Sequence, residues 1–380
     1  MTMPKQHAHA VLVDTIHDEQ SRQEYYMDVR RYLAGNVSPG NKTVYHNEVY
    51  PAFVKENGRD PKDRHEVRKV MTKNSYYQMY SAMQRHTQEM TWDSVIDSVE
   101  RDLPRLKENA KKVSGTTGGT LTLDPNFVVP HYLSYYDIHL QPGAYHMTHD
   151  DEDVSAGALY DRGTYLYTLG NIGSKMDFLG RTLLEHYKKQ YPDARPKRIL
   201  DMGCTVGQST TVWAEAFPDA EIHAIDVGES LLRYAHARAE DLGHKIHYSQ
   251  QNAESTNFDD GSFDIVLSHI IMHETSTPAV VNIFAESKRL LKGGGVMMHM
   301  DNPRLKELPP LESFLAEWEV HNNNEKFGGT YREMDLGAEA VKAGFSAKNA
   351  RMEMVNVYMP GKVMNYGTNG LRFPACVAEK

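Results

Sequence analysis

The sequence predicts an α/β fold, with a doubly wound, mainly parallel sheet behind a mainly helical N-terminal region. Three observations predict it. Short apolar runs at Ile199 to Met202, Glu221 to Ile225, Lys245 to Ser249 and Phe263 to Leu267 follow one another at βαβ intervals. The first run ends in a glycine turn, Asp201-Met-Gly203-Cys204-Thr-Val-Gly207, which leads into a helical pattern. Well before it, Val67, Val70, Met71, Tyr77, Tyr80 and Met83 recur at helical spacing, and so do Trp92, Val95, Ile96, Val99, Leu103 and Leu106. At 380 residues the chain is long for one domain. The expected division is a flexible tail over 1–20, a helical cap or dimerisation region over 21–190, and a cofactor-binding domain over 191–380.

Composition narrows the function. A formal charge of -9 argues against a general nucleic-acid binder, which needs a basic face. Two cysteines, Cys204 and Cys376, rule out a disulfide framework. No run of 18 apolar residues or apolar signal core is present, so a reduced, cytoplasmic setting is expected.

The glycine turn decides among ligands. A phosphate loop of the G-x-x-x-x-G-K-[ST] type needs a Lys after Gly207, and Gln208 stands there. A dinucleotide turn of the G-x-G-x-x-G type needs glycine where Thr205 stands. Asp226, at the tip of the second run, can accept hydrogen bonds from both hydroxyls of a ribose. Asp201 ends the first run, and Ser209 or Thr210 can cap the helix that follows.

This layout resembles the class I S-adenosylmethionine-dependent methyltransferases. It carries Asp201-Met-Gly203-Cys204-Thr-Val-Gly207-Gln-Ser209, Asp226, Asn252-Ala253-Glu254 and Ser268-His269 in order. The resemblance runs from Lys197 onward and implies seven strands, the last antiparallel. It implies S-adenosylmethionine as cofactor, held by Asp201, Gly203, Cys204, Gly207, Asp226, Val227, Asn252, Ala253, Ser268 and His269. Asn252 replaces the family's more usual Asp but can still bond an adenine amino group. A Tyr-bearing segment often closes over the cofactor in this family, which points to Tyr160 and Tyr165. The implied reaction is methyl transfer to a small molecule. The alternatives are cyclisation within the cofactor, releasing methylthioadenosine, and a noncatalytic cofactor-binding subunit.

Other stretches follow in chain order. Gly35 to Asn41 has loop composition, and Ser114-Gly-Thr-Thr-Gly-Gly-Thr120 reads as a hinge. Pro104 is expected to kink or shorten the second helix. Seven tyrosines and four histidines lie between His131 and Tyr167. A metal site can be drawn from His131, Asp137 and His139, or from His146, His149 and Asp150, but neither has regular ligand spacing. No metal is therefore expected, and the tyrosines are read as a pocket wall able to face a sulfonium cation. Asp150-Asp-Glu-Asp153 reads as a solvated acidic loop. His273, after the fourth strand, is the expected general base, with Tyr165 as a second catalytic candidate. Residues 304–332, with Trp318, His321 and Asn322-Asn-Asn-Glu325, break the alternation where an acceptor pocket is often built in this family. The expected partners are a small-molecule substrate and a second copy through the N-terminal helices, with no nucleic acid or membrane.

Overall fold

The apolar runs become neighbouring strands of one sheet. The computed structural model describes residues 5–305, 308–358 and 372–380. Its strands are β1 (Thr120–Thr122), β2 (Arg198–Met202), β3 (Glu221–Asp226), β4 (His247–Gln250), β5 (Phe263–His269), β6 (Leu291–Met300), β7 (Ala350–Asn356) and β8 (Arg372–Glu379). They are ordered β1-β4-β3-β2-β5-β6-β8-β7. β8 is antiparallel to both β6 and β7, and the pairs from β1 to β6 are parallel. The seven-stranded arrangement is present, and β1 adds an eighth strand at one edge. β2 lies at the centre, with Asp201 opposite Ala224 on one side and Leu267 on the other. The strands are apolar on both faces because helices cover both, with Ile199, Ile265 and Val296 in one core and Leu200, Val266 and Met297 in another. The expected turns at Pro360-Gly361 and Asn369-Gly370 lie outside the described residues.

The helical region departs from expectation in instructive places. The two predicted stripes belong to a helix Arg64–Met71 and a single long helix Ser75–Val113, which runs through Pro104. The long helix serves two cores, and the inward positions between the two stripes, Thr87, Gln88 and Thr91, are polar. Tyr77, toward its start, packs with Phe314 and Trp318, while Val95, Val99 and Leu106 pack with Leu159 and Leu166 of the helix Ser155–Tyr167. Helical segments over 33–37 and 40–44 take in most of the expected loop Gly35 to Asn41.

The expected hinge is docked instead. The carboxylate of Glu240 accepts hydrogen bonds from the backbone of Thr117 and Gly119 and from the hydroxyls of Thr116 and Thr117. Residues 5–16, within the expected tail, make contacts with the rest of the chain. Val11 is fully buried, the Ala10 amide donates to Asp241 at 2.7 Å, and His9 Nε2 lies 3.0 Å from Asp161. Asp153, in the expected solvated loop, is buried and accepts the amides of His149 and Ser155. No helix among the described residues is long and apolar enough to cross a membrane.

Candidate functional site

The strand order reverses at β2, which leaves a crevice beyond its carboxyl end, where open α/β sheets bind ligands. A cavity of about 480 Å³ lies there, and a chamber of about 70 Å³ adjoins it. Both are lined by Tyr145, Gly203, Thr205, Ile271 and Glu274, so they meet at the glycine loop.

The loop is folded by its backbone. The amides of Gly203 and Cys204 both donate to the Ile225 carbonyl, at 2.8 and 3.0 Å. Gly203 has φ +72°, and a Cβ there would meet Ile271 at 2.8 Å. Gly207 differs from expectation. A Cβ on it would lie 2.3 Å from the Tyr248 hydroxyl, and it lines neither chamber. It admits an aromatic ring of β4 rather than a ligand.

Asp226 sits at the tip of β3, with Val227, Asn252 and Ala253 beside it in the small chamber. Its two oxygens are fixed by the Thr205 amide at 2.9 Å and the Gly228 amide at 3.0 Å. Burial pushes its carboxyl up to about 6, although those amides oppose the shift. Asp201 holds the Thr210 hydroxyl at 2.6 Å through one oxygen. Its other oxygen is buried without a hydrogen-bond partner among the described residues. The Asp201 and His269 side chains lie 3.6 Å apart at the cavity wall. Cys204 also lines the cavity, and burial, with the charges of Asp226 and Asp201, holds its thiol well above the usual range. Ser268 does not line either chamber: its hydroxyl is buried against His299 at 2.8 Å.

One face of the helix Ser155–Tyr167 covers the cavity with Tyr160, Thr164 and Tyr167. Tyr145 meets Tyr160 edge to face at 5.8 Å. Tyr165 is five residues from Tyr160, on another face of the helix, and lies buried among Leu166, Met176 and Val206. The expected catalytic place for Tyr165 is thus corrected: it packs inside the cap.

The far wall gathers groups from distant segments. His273 is 1% exposed, and its Nδ1 lies 2.8 Å from Asp301, at the end of β6. Asp301 also accepts the Met272 and His273 amides, which fixes the ring's approach. Nε2 of His273 lies 3.9 Å from both Glu274 and Glu325. Burial disfavours the charged ring, but Asp301, Glu325 and Glu274 outweigh it and raise His273 to about 9. The residue expected as general base is thus paired with Asp301 through one nitrogen and faces two carboxylates with the other.

His139 completes the wall from the Tyr-rich stretch. Its Nε2 lies 2.7 Å from Glu274, and its Nδ1 is 3.4 Å from Glu325 and 2.9 Å from the Asn323 amide nitrogen. Tyr145 donates to Glu274 at 3.1 Å. Glu319 lines the same cavity, and burial, together with Glu325, raises its carboxyl. The expected partners of His139 are elsewhere: His131 packs on Tyr135, and Asp137 accepts the Gly143 amide. Nothing in the spacing of His139, Asp301, Glu319 and Glu325 along the chain marks them as one group. The available signal was an acid at the tip of a strand, which Asp301 shares with Asp201 and Asp226.

Comparison with known proteins adds an independent finding. Residues 199–295 match the family model described as a methyltransferase domain. An uncharacterized protein of Haemophilus influenzae is 30% identical over 133 residues, 32% of this chain and 53% of that protein. The chain thus spans about half the length of that relative. A malonyl-[acyl-carrier protein] O-methyltransferase of Legionella pneumophila is 24% identical over 199 residues, 51% of this chain and 66% of that protein. Among solved structures, phosphoethanolamine N-methyltransferase 2 of Haemonchus contortus is 18% identical with a TM-score of 0.41, covering 57% of this chain and 56% of that one.

Proposed function

The chain belongs to the class I S-adenosylmethionine-dependent methyltransferase superfamily, and from that premise we propose that it methylates a small molecule held under the helical cap. The observation that carries this reading is the continuity of the two chambers. One holds Asp226, Val227, Asn252 and Ala253, and the other runs from Gly203 past the tyrosines to His273.

The residues fit the cofactor. Asp226 faces the small chamber with both oxygens already oriented, as a ribose diol requires. Gly203 leaves a cradle that a side chain would fill. The unpartnered oxygen of Asp201 suits an ammonium group. When bound, S-adenosylmethionine supplies a methyl group already activated on a sulfonium.

The protein's own part is alignment and exclusion of water. Tyr145, Tyr160 and Tyr167 line the cavity, and aromatic rings attract a cation. The cavity's volume suits a small acceptor rather than a nucleic acid. A proton leaving the acceptor has Glu274 and Glu325 within the wall to receive it.

The test is incubation of the full chain with S-adenosylmethionine and a set of small amines, phenols, carboxylic acids and thiols, followed by mass analysis. S-adenosylhomocysteine with a methylated acceptor is expected. Methylthioadenosine would replace this reading with cyclisation. Tight binding with neither product would replace it with a cofactor-binding subunit.

A further inference from the structure

We infer that His139, His273 and Glu325 hold a divalent first-row transition-metal ion at the wall of the acceptor cavity. One ligand atom from each lies within 4.8 Å of the others, although the residues are far apart in sequence. Metal–nitrogen and metal–oxygen bonds of about 2.0–2.2 Å place tetrahedral ligand atoms roughly 3.3–3.6 Å apart. The wall has 3.4 Å between His139 Nδ1 and Glu325 Oε1, and 3.9 Å between His273 Nε2 and Glu325 Oε2. The ligand atoms lie within 4.8 Å of one another, so an ion draws them together by at most roughly 1.5 Å.

The outer partners point the same way. Metal-bound imidazoles usually donate their second nitrogen to a carboxylate, which fixes the ring and its tautomer. That arrangement occurs twice here. His273 Nδ1 faces Asp301 at 2.8 Å, and His139 Nε2 faces Glu274 at 2.7 Å. Each ring then aims its other nitrogen at Glu325. The Asn323 amide nitrogen, 2.9 Å from His139 Nδ1, marks that nitrogen as the lone-pair side, and an ion takes the amide's place there. Glu325 is 4% exposed, yet its Oε2 has no hydrogen-bond partner among the described residues. His273 Nε2 lies 3.9 Å from that oxygen, and His139 Nδ1 lies 3.4 Å from the other oxygen of the same carboxylate.

Charge supports the assignment. Asp301, Glu274 and Glu325 are buried around this wall, and Glu319 lies half-buried beside them. Burying carboxylates together is costly unless a cation compensates them. Two imidazoles and a carboxylate suit zinc, iron or cobalt, whereas magnesium and calcium prefer all-oxygen sites. Tyr145 and Glu274 bound the side open to the cavity.

Resting on the methyl-transfer reading, the ion's role is to take the acceptor. An oxygen, nitrogen or sulfur atom of the acceptor occupies the open position and becomes more acidic. Its proton passes to Glu274 and then to water. The bond to the methyl carbon forms from that atom's lone pair, and the carbon–sulfur bond breaks with its pair remaining on sulfur. The acceptor class is therefore a small molecule with a metal-binding hydroxyl, thiol or amine.

The experiment is metal titration of the EDTA-stripped full chain with zinc and cobalt chloride, read by calorimetry, metal content and the visible spectrum of cobalt. One ion per chain is expected, with micromolar or tighter affinity, together with a raised Tm. Glu325→Gln and His139→Gln should each weaken binding at least tenfold, and Asp301→Asn about 10- to 100-fold. Circular dichroism confirms that each variant is folded. A wild-type chain that binds S-adenosylhomocysteine but retains no ion overturns the site, and so does equal metal binding by the two ligand variants. Metal binding without any methylated product keeps the site and overturns the methyl-transfer reading instead.

Discussion

The glycine-loop wall draws Asp201, Gly203, Thr205 and Asp226 from one strand–turn–helix–strand unit. The opposite wall draws His139 from the Tyr-rich stretch, His273 and Glu274 from the end of β5, Asp301 from the end of β6, and Glu319 and Glu325 from the insertion that follows. The first wall is local, and its geometry is set by backbone bonds such as those from Gly203 and Cys204 to Ile225. The second is assembled by tertiary packing, and its geometry is set by side chains. A wall built of backbone suits a cofactor shared by many relatives, whereas a wall built of side chains on separate elements can change with the acceptor.

If the walls divide the work in this way, they should separate under mutation. Glu325→Gln should have the largest effect, reducing product formation by about 10²–10⁴-fold, the range for losing a proton-transfer or acceptor-orienting group. Affinity for S-adenosylmethionine, measured by calorimetry, should stay within about twofold. A parallel loss of affinity would mean that the two walls are one unit.

Asp226→Ala tests the other wall. It leaves two ribose hydroxyls poorly satisfied, at about 1–3 kcal/mol, so affinity should fall roughly 5- to 150-fold. Single-turnover rates at saturating cofactor should change far less. Unchanged affinity in a folded variant would remove the ribose assignment.

The same carboxylate predicts a pH dependence. Its folded value is raised to about 6 by burial, and the ionised form is the one that accepts both hydroxyls. Cofactor affinity should therefore level off above about pH 6 and weaken by up to about tenfold per unit below it. Asp226→Asn should flatten that profile, and an unaltered profile would assign the titration to another group.

The smallest effect concerns the cap. Tyr160→Leu should lose more affinity for the cationic S-adenosylmethionine than for neutral S-adenosylhomocysteine, by about 0.5–2 kcal/mol or roughly 2- to 30-fold. Tyr165→Leu should show no such difference, because its ring packs away from the cavity, and should lower Tm instead. Equal losses for the two ligands in the Tyr160 variant would mean that its ring only fills space.

The contrast between the walls also explains what could be read from the sequence. Strand alternation, the glycine turn and the acids at Asp201 and Asp226 are carried by nearest neighbours along the chain, so spacing alone places them. His139 gave no such signal, since its partners lie more than a hundred positions away. Tyr160 and Tyr165 could not be told apart until the helix was docked and one face chosen. The two apolar stripes suggest two helices because the inward positions between them, Thr87, Gln88 and Thr91, are polar and leave a gap in the pattern. That gap is instead the point where Ser75–Val113 passes from the core of Tyr77 and Phe314 to the core of Val95 and Leu166.

The docked opening segment has a consequence for the newly made chain. The Ala10 amide pairs with Asp241, 231 positions later, and His9 pairs with Asp161, 152 positions later. At about 5–20 residues per second, the partner of Ala10 is synthesised roughly ten to fifty seconds after Ala10 itself. Through that interval Val11 has no finished core to enter, so this segment is made well before the partners that hold it. Its docking is a late latch on the cap, and it sets the time for which the ribosome-bound chain exposes apolar surface to chaperones.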